Sequence, residues 1–394
     1  MKKIAVKAFH FCYHTLCCLL PLQKNRIIFE SSVGNNYSGS PKAIYEYMLR
    51  NDLAKDYQIY FVFKHPEEIC LPGPAKKLKR KSIPYLLAFA RAKVWVSDTR
   101  MPLYLIKRKD VCYIQTWHGT PLKKLALDLT SLDMGGSVNL EKYKENFRKN
   151  TAMWDHLVSQ NPYSSQIFRR CFAFDKNMLE CGYPRCDVLF EKNTPEQILA
   201  LKKELGLPID KKILLYAPTW RDNDYQEKGK YNYQPELDPS LLQKALGEDT
   251  ILIVKYHYLV ASDYDWSPYE GFVYNFSQAD DISPLYLVSD ALITDYSSVM
   301  FDYAILNRPM FFFCYDLENY RDTLRGFYFD FEKEAPGPIV KTSRELLSAL
   351  LESRENPAPV YSQKLAAFRE KFTSFEDGHA CERIATLIQE KCDL

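Results

Sequence analysis

Short β-branched and aromatic runs alternate with amphipathic helical patterns along nearly the whole chain, and no other feature limits its fold so tightly. In the first half the strand-like runs fall at 26–32, 58–63, 93–97, 111–117, 156–159 and 178–182, with helical patterns over 41–51, 83–90, 139–150 and 163–171. The second half repeats the style, with runs at 212–217, 251–256, 272–274, 291–294 and 310–314 and helical patterns over 239–246, 283–288, 298–306, 343–352, 362–372 and 379–389. A strand that returns through a helix to a parallel neighbour is covered on both faces. The alternation therefore predicts an α/β fold of two Rossmann-like domains facing a cleft, joined near 194–211. The expected division is an amphipathic helix at 1–22, domains at 23–205 and 206–375, and a C-terminal helix at 376–394. Ligands of such sheets sit beyond the carboxyl ends of the strands, so the residues where each run stops carry the functional argument.

Composition removes several classes of function. Lys+Arg number 52 against 50 Asp+Glu, a balance that argues against a dedicated nucleic-acid binder. Neither G-x-G-x-x-G nor G-x-x-x-x-G-K-[ST] occurs, so neither a dinucleotide cofactor nor ATP hydrolysis is suggested. The 11 cysteines are odd in number and form no C-x-x-C pair, which fits buried, reduced thiols better than a disulfide framework or a zinc site. Two Asp-x-Asp strings, Asp222/Asp224 and Asp263/Asp265, sit in polar sequence and are short enough to arise by chance, so no metal is expected.

Charge is distributed unevenly. Lys2 and Lys3 precede an apolar run over 4–22 that Lys7, His10 and His14 interrupt. The run is too broken for a spanning helix and lacks a signal-peptide cleavage site. It reads as a helix lying on a membrane surface or as a helix docked on the first domain. Lys76, Lys77, Lys79, Arg80 and Lys81 form a second cluster just before the apolar stretch 83–90. Each such charge near an anionic leaflet contributes about 1 kcal/mol, so the cluster predicts a membrane or anionic-lipid surface; the plainer reading is a solvated face.

The most informative strand end is 114–124, IQTWHGTPLKK. It sets the imidazole of His118 at a carboxyl end facing the cleft, with Gly119 allowing close backbone approach. Histidine is the usual general base near neutral pH, and its alternative is a structural histidine. At 254–257, VKYH places His257 at another strand end, where a donating imidazole would stabilise phosphate charge; Lys255 would add to it, though alternation puts it on the opposite face. At 293–298, ITDYSS precedes a helix, so Ser297 and Ser298 with the backbone N–H groups there form a phosphate cradle or an ordinary N-cap. A fourth strand end, YAPTWR at 216–221, carries Thr219 and Arg221. The aromatic loop LRGFYFD at 324–330, with Arg325, precedes Pro336-Gly337-Pro338 and would line a nucleotide pocket.

Together these strings resemble the CDP-glycerol glycerophosphotransferase family of teichoic-acid synthesis: QTWHGTPL at 115–122, CGYPRCD at 181–187, YAPTWR at 216–221, DYSSVMFD at 295–302, Arg308-Pro309, RGFYFD at 325–330 and Pro336–Pro338, in one order from about residue 26 to 375. The resemblance implies a two-domain glycosyltransferase-B-like fold; with the glycine-rich motifs missing, no cofactor is expected. It also implies a CDP-alditol donor and a membrane-lipid-linked acceptor, read here as CDP-glycerol and an undecaprenyl-diphosphate-linked saccharide, with the protein expected to be peripheral at the cytoplasmic face of the cell membrane. Carried over residue by residue, His118 becomes the base, His257, Ser297 and Ser298 lie near the donor diphosphate, and Arg325 is a further donor contact. One departure is Tyr256-His257-Tyr258, where the family pattern is a His-Pro pair. Family polymerases carry a sizeable extra N-terminal region, so a first domain beginning near residue 26 looks like the compact primase type. The alternatives are ribitol-phosphate transfer from CDP-ribitol, an ordinary sugar transferase, and a non-catalytic membrane adaptor that keeps the nucleotide fold.

Overall fold

The computed structural model describes residues 2–131, 139–219, 236–256, 264–319, 326–355 and 359–393. Two parallel sheets organise it. The first runs β3-β2-β1-β4-β5-β6-β7, built from β1 (Gln23–Glu30), β2 (Gln58–Phe63), β3 (Lys76–Lys79), β4 (Ala92–Ser97), β5 (Cys112–Gln115), β6 (His156–Ser159) and β7 (Asn177–Glu180). The second runs β10-β9-β8-β11-β12-β13, built from β8 (Lys212–Tyr216), β9 (Thr250–Val254), β10 (Val273–Asn275), β11 (Ala291–Thr294), β12 (Met310–Phe313) and β13 (Ile339–Val340). Every pairing within them is parallel. The central strands are continuous apolar runs because helices cover both faces: Ile27, Ile28 and Phe29 of β1 and Ile251, Leu252 and Ile253 of β9 are fully buried.

Helices α1 (Lys2–Leu19), α2 (Gly39–Arg50), α3 (Ile83–Arg91), α4 (Leu140–Thr151), α5 (Pro162–Cys171) and α6 (Val188–Glu191) belong to the first sheet's half. The second half carries α7 (Pro195–Glu204), α8 (Pro239–Leu246), α9 (Ser283–Val288), α10 (Val299–Ala304), α11 (Leu317–Asn319), α12 (Phe331–Glu334), α13 (Ser343–Glu355) and α14 (Pro359–Phe372). Local sequence sets their starts. Asn161 accepts the Ser164 N–H at 2.7 Å ahead of Pro162, and Ser82 accepts that of Tyr85 at 3.3 Å ahead of Ile83-Pro84, both side-chain caps with proline in the first turn.

The expected domain division needs three changes. Helix α15 (Ala380–Asp393) packs on α2, β1 and β4, so the C-terminal segment completes the first domain. Helix α7, which falls in the segment read as a connection, packs on α9 and extends the second domain backwards. Helix α1 is part of the first domain: Tyr13 and Cys17 are 3% and 1% exposed, and the Tyr13 hydroxyl donates to the Leu86 carbonyl of α3 at 3.0 Å. The opposite face of α1 leaves Phe11 and Leu19 74% and 77% exposed, so the docked and surface-facing readings describe two faces of one helix. No described helix is long and apolar enough to cross a membrane.

Strand order also locates the crevice. The first sheet reverses direction between β1 and β4 and the second between β8 and β11. In open parallel sheets the loops diverge at such switch points and leave room for a ligand.

Candidate active site

The carboxyl ends of the two sheets face each other across a cavity of about 430 Å³. The first domain contributes Trp117 to Lys123 and Leu125; the second contributes Ala217, Pro218 and Thr219 after β8, Lys255 and Tyr256 after β9, and Tyr296 to Val299 after β11. The loops after β8 and β11 are those of the switch point.

His118 stands three residues beyond the end of β5. Its Nδ1 lies 2.7 Å from the carbonyl oxygen of Asp98, just beyond β4. A carbonyl only accepts, so Nδ1 carries the proton and neutral Nε2 keeps its lone pair. The ring is open to the cleft. Crowding by the cleft walls desolvates it and lowers its pKa; the Asp98 carbonyl opposes this, and the charges of Arg185 and Arg100 reinforce it. The result is a neutral imidazole near neutral pH, with its one proton on Nδ1.

Trp117 aims that ring. Its backbone is left-handed, with φ 52°, a conformation that is strained for a bulky side chain and that recurs at functional sites. The indole holds it there, stacking on His118 with centroids 4.2 Å apart and packing against Phe172 at 4.6 Å. The Trp117 N–H donates to Gln115 Oε1 at 2.9 Å. Behind the imidazole, Asp98 is 5% exposed and accepts the Ser32 N–H at 2.9 Å. Burial pushes its carboxyl up to about 7, against the Ser32 hydrogen bond.

Across the cleft, Ser298 is exposed and Ser297 half-buried at the start of α10. A β-carbon placed on Gly119 would sit 3.2 Å from Ser298 Oγ, so the histidine loop and the serine turn almost touch. Helix α10 is shorter than its sequence pattern, spanning Val299–Ala304. Six residues make a weak dipole, which leaves any anion binding to the serine hydroxyls and local N–H groups. Thr219 joins the site through its backbone, its N–H donating to Asp295 Oδ1 at 2.8 Å.

Lys255 joins the cleft on this side. β9 ends at Val254, so strand alternation no longer governs the next residue, and Lys255 lines the cleft instead of facing away. Its Nζ donates to the Ser277 carbonyl at 3.1 Å, and burial lowers its pKa against the attraction of Asp280 and Asp281. His257, Arg221 and Arg325 lie outside the described residues, as do Asp222, Asp224 and Asp263. Asp265, the described member of those strings, is tied to the Ser267 N–H at 2.9 Å.

The described part of the aromatic loop, 326–330, does not line this cavity, contrary to the pocket expectation, and instead straps the chain just after the histidine loop. Its Phe327 bridges antiparallel to Lys123, the Lys124 N–H donates to the Gly326 carbonyl at 3.0 Å, and the Tyr328 N–H donates to the Leu122 carbonyl at 2.9 Å. The Tyr328 hydroxyl donates to Asp128 at 2.8 Å. This strap ties the second domain to the segment that follows the histidine loop.

The basic cluster divides in two. Lys76, Lys77 and Lys79 are exposed on β3, the outermost strand, where lysines also deter pairing with another sheet edge. Lys81 is exposed beside Ile83, itself 74% exposed. Arg80 turns inward, contrary to the surface expectation: its Nε lies 3.3 Å from Glu30, whose side chain is fully buried and needs a counter-charge. All 11 cysteines are free thiols and eight are buried; burial pushes Cys112 and Cys392 up to about 12.

The chain is similar to known proteins along nearly its whole length. The family described as CDP-glycerol:poly(glycerophosphate) glycerophosphotransferase matches residues 12–390. A teichoic acid poly(glycerol phosphate) polymerase of Bacillus subtilis is 46% identical over 374 residues, 94% of this chain and 49% of that protein. A teichoic acid glycerol-phosphate transferase of Staphylococcus aureus is 44% identical over 382 residues, 96% of this chain and 97% of that one. A teichoic acid poly(ribitol-phosphate) polymerase of Bacillus spizizenii is 31% identical over 398 residues, 98% of this chain and 60% of that protein. The chain spans about half the length of the first two glycerol-phosphate polymerases it matches. Among solved structures, the wall teichoic acid polymerase TagF superposes with a TM-score of 0.90 at 42% identity, covering 100% of this chain and 96% of that one.

Proposed function

The chain belongs to the CDP-glycerol:poly(glycerophosphate) glycerophosphotransferase family, and from that membership we propose that it moves glycerol phosphate from CDP-glycerol to a hydroxyl of a membrane lipid-linked saccharide in wall teichoic acid synthesis. An acceptor oxygen bonds to the β-phosphorus, the bond from that phosphorus to the bridging oxygen breaks, and CMP leaves with the electron pair. The acceptor proton passes to Nε2 of His118. Positioning and electrostatics carry most of such a transfer. Ser297, Ser298 and Lys255 face the donor phosphates, and by family resemblance His257, Arg221 and Arg325 join them.

The single observation that carries the reading is the neutral, tautomer-fixed imidazole of His118 directly opposite the serine turn. A binding adaptor has no need of a base so held. The donor alditol is assigned from similarity: glycerol-phosphate relatives at 44% and 46% identity stand well above the ribitol-phosphate polymerase at 31%. The exposed Phe11 and Leu19 of α1, Ile83 of α3 and the lysines of β3 and Lys81 support a peripheral seat on an anionic leaflet. Incubating the protein with CDP-glycerol and a lipid-linked disaccharide, with CMP as the readout, tests the proposal. Acceptor-dependent CMP release is expected. Its absence, or faster release from CDP-ribitol, overturns the assignment.

A further inference from the structure

We infer that the buried pair Arg185–Asp302 is a strut that fixes the gap across the cleft, and that Arg185, Asp302 and Gln160 are positioning residues for the transfer. The kinetic part of this inference rests on the function proposed above; the structural part does not.

The two residues come from opposite domains. Arg185 lies in the 3₁₀ turn Pro184–Cys186 of the first domain, and Asp302 lies on α10 of the second. The contact is a two-pronged fork, with Arg185 Nε to Asp302 Oδ2 and Nη2 to Oδ1 both at 2.9 Å and side chains only 16% and 10% exposed. The guanidinium also lies over the Tyr183 ring, 4.4 Å from its centroid. A planar fork of this kind fixes direction as well as distance, which a lysine in the same place would not.

Each end of the strut leads to one wall of the cleft. Asp302 is one helical turn beyond Ser298. In the other direction Gln160 touches Asp302 through Nε2 at 3.5 Å and accepts the Thr120 hydroxyl on Oε1 at 2.5 Å. Thr120 is two residues from His118. The path Thr120–Gln160–Asp302 therefore joins the histidine loop to the serine helix through buried polar groups. The chain that crosses back to α15 braces the same point: Asn161 Nδ2 donates to the Phe372 carbonyl at 2.6 Å, and the Tyr183 N–H donates to Glu376 Oε1 at 2.9 Å. Gly182, with φ +82°, admits this crossing, because a β-carbon there would lie 2.8 Å from Glu376 Oε2.

In-line transfer needs an acceptor held by one domain and a donor held by the other at one separation. A misplacement of about 1 Å costs on the order of 10² in rate. The experiment compares Asp302→Asn, Arg185→Lys and Gln160→Met. The last removes the bridge to Thr120 while sparing the ion pair, so it remains informative if the others fold poorly. For each folded variant, kcat is expected to fall at least ~10-fold while the calorimetric Kd for CDP-glycerol stays within about 2-fold, because the donor groups are untouched. A kcat within about 2-fold of wild type overturns the strut and leaves the proposed function intact. A loss of donor affinity that matches the loss of kcat also overturns it, placing Asp302 in the donor site instead. Should the wild-type protein release no CMP, the proposed function fails and small-angle scattering judges the strut: a larger radius of gyration in Asp302→Asn supports it, and unchanged scattering overturns it.

Discussion

Replacing Gly119 by alanine separates the geometry of the cleft from the stability of the fold. Gly119 is not among the residues with left-handed backbone, so a side chain is conformationally acceptable there. Removing a glycine stabilises a compatible site by about 0.4–1 kcal/mol through the unfolded chain. The new β-carbon would meet Ser298 Oγ at 3.2 Å and Ser298 Cβ at 3.4 Å. Ordinary contact begins a little beyond the shorter of these distances, so the histidine loop and α10 must part by a few tenths of an ångström. If about 1 Å of misplacement costs on the order of 10² in rate, this shift costs about 3–5-fold, or about 0.6–1 kcal/mol in activation free energy. Steady-state kcat with CDP-glycerol and a lipid-linked acceptor, beside a thermal melt, reads both quantities. The expected variant is as stable as wild type and several-fold slower, and Gly119→Val is slower again. Wild-type kcat in both variants would refute the idea that this approach sets the reacting distance. A large drop in melting temperature would show that Gly119 serves packing instead.

Other outcomes follow from the same geometry. His118→Ala should lose about 10²–10⁴ in kcat while calorimetry finds CDP-glycerol affinity within a few-fold; near-wild-type turnover in the folded variant removes it as the base. Because desolvation lowers the His118 pKa, the acid limb of log(kcat/KM) should have its midpoint below the ordinary histidine value of about 6.5, and a midpoint above it contradicts a neutral resting base. Glu376 is pushed up to about 8 by burial, against hydrogen bonds from Tyr183 and Gln160. The native state therefore holds a proton that the unfolded chain releases near 4.3, and this contribution to stability falls as pH rises from there to about 8. Glu376→Gln should then gain in melting temperature over wild type more at pH 8 than at pH 5; a constant difference rejects the assignment. Vesicles containing anionic lipid should co-sediment the protein, high salt should weaken that binding, and Lys76, Lys77, Lys79 and Lys81→Glu together should abolish the salt-sensitive part.

Much of the alternation was legible because parallel strands buried on both faces are uniform apolar runs: β2 at Gln58–Phe63, β6 at His156–Ser159 and β11 at Ala291–Thr294 coincide with their sequence signals. Strand β3 was not legible. Three of its four residues are lysine, and a charge-rich edge strand has no hydrophobic period to read. His118 was found for a physical reason, since a strand end followed by Gly-Thr-Pro must present its last side chains to the crevice. Of the two readings open for Lys255, the cleft-facing one holds, because the period of two stops with β9 at Val254. Trp117 gave no warning of its left-handed backbone, which the surrounding aromatic rings impose. Arg185 and Asp302 are 117 positions apart, and no local pattern reports a contact of that range; the strings CGYPRCD and DYSSVMFD carried the family resemblance without revealing that their charged members grip each other.

Helix α15 gives the molecule an unusual order of manufacture. The face it covers belongs to β1 and β4, which are translated before the second domain, yet its buried Cys381, Ile384, Ala385 and Ile388 are translated only after it. A nascent first domain must wait with that apolar face open, at the stage when growing chains are most prone to misassembly. Of the two domains, the one begun earlier is thus the one finished later, and the first half of the cleft is not encoded by a single continuous stretch of the chain.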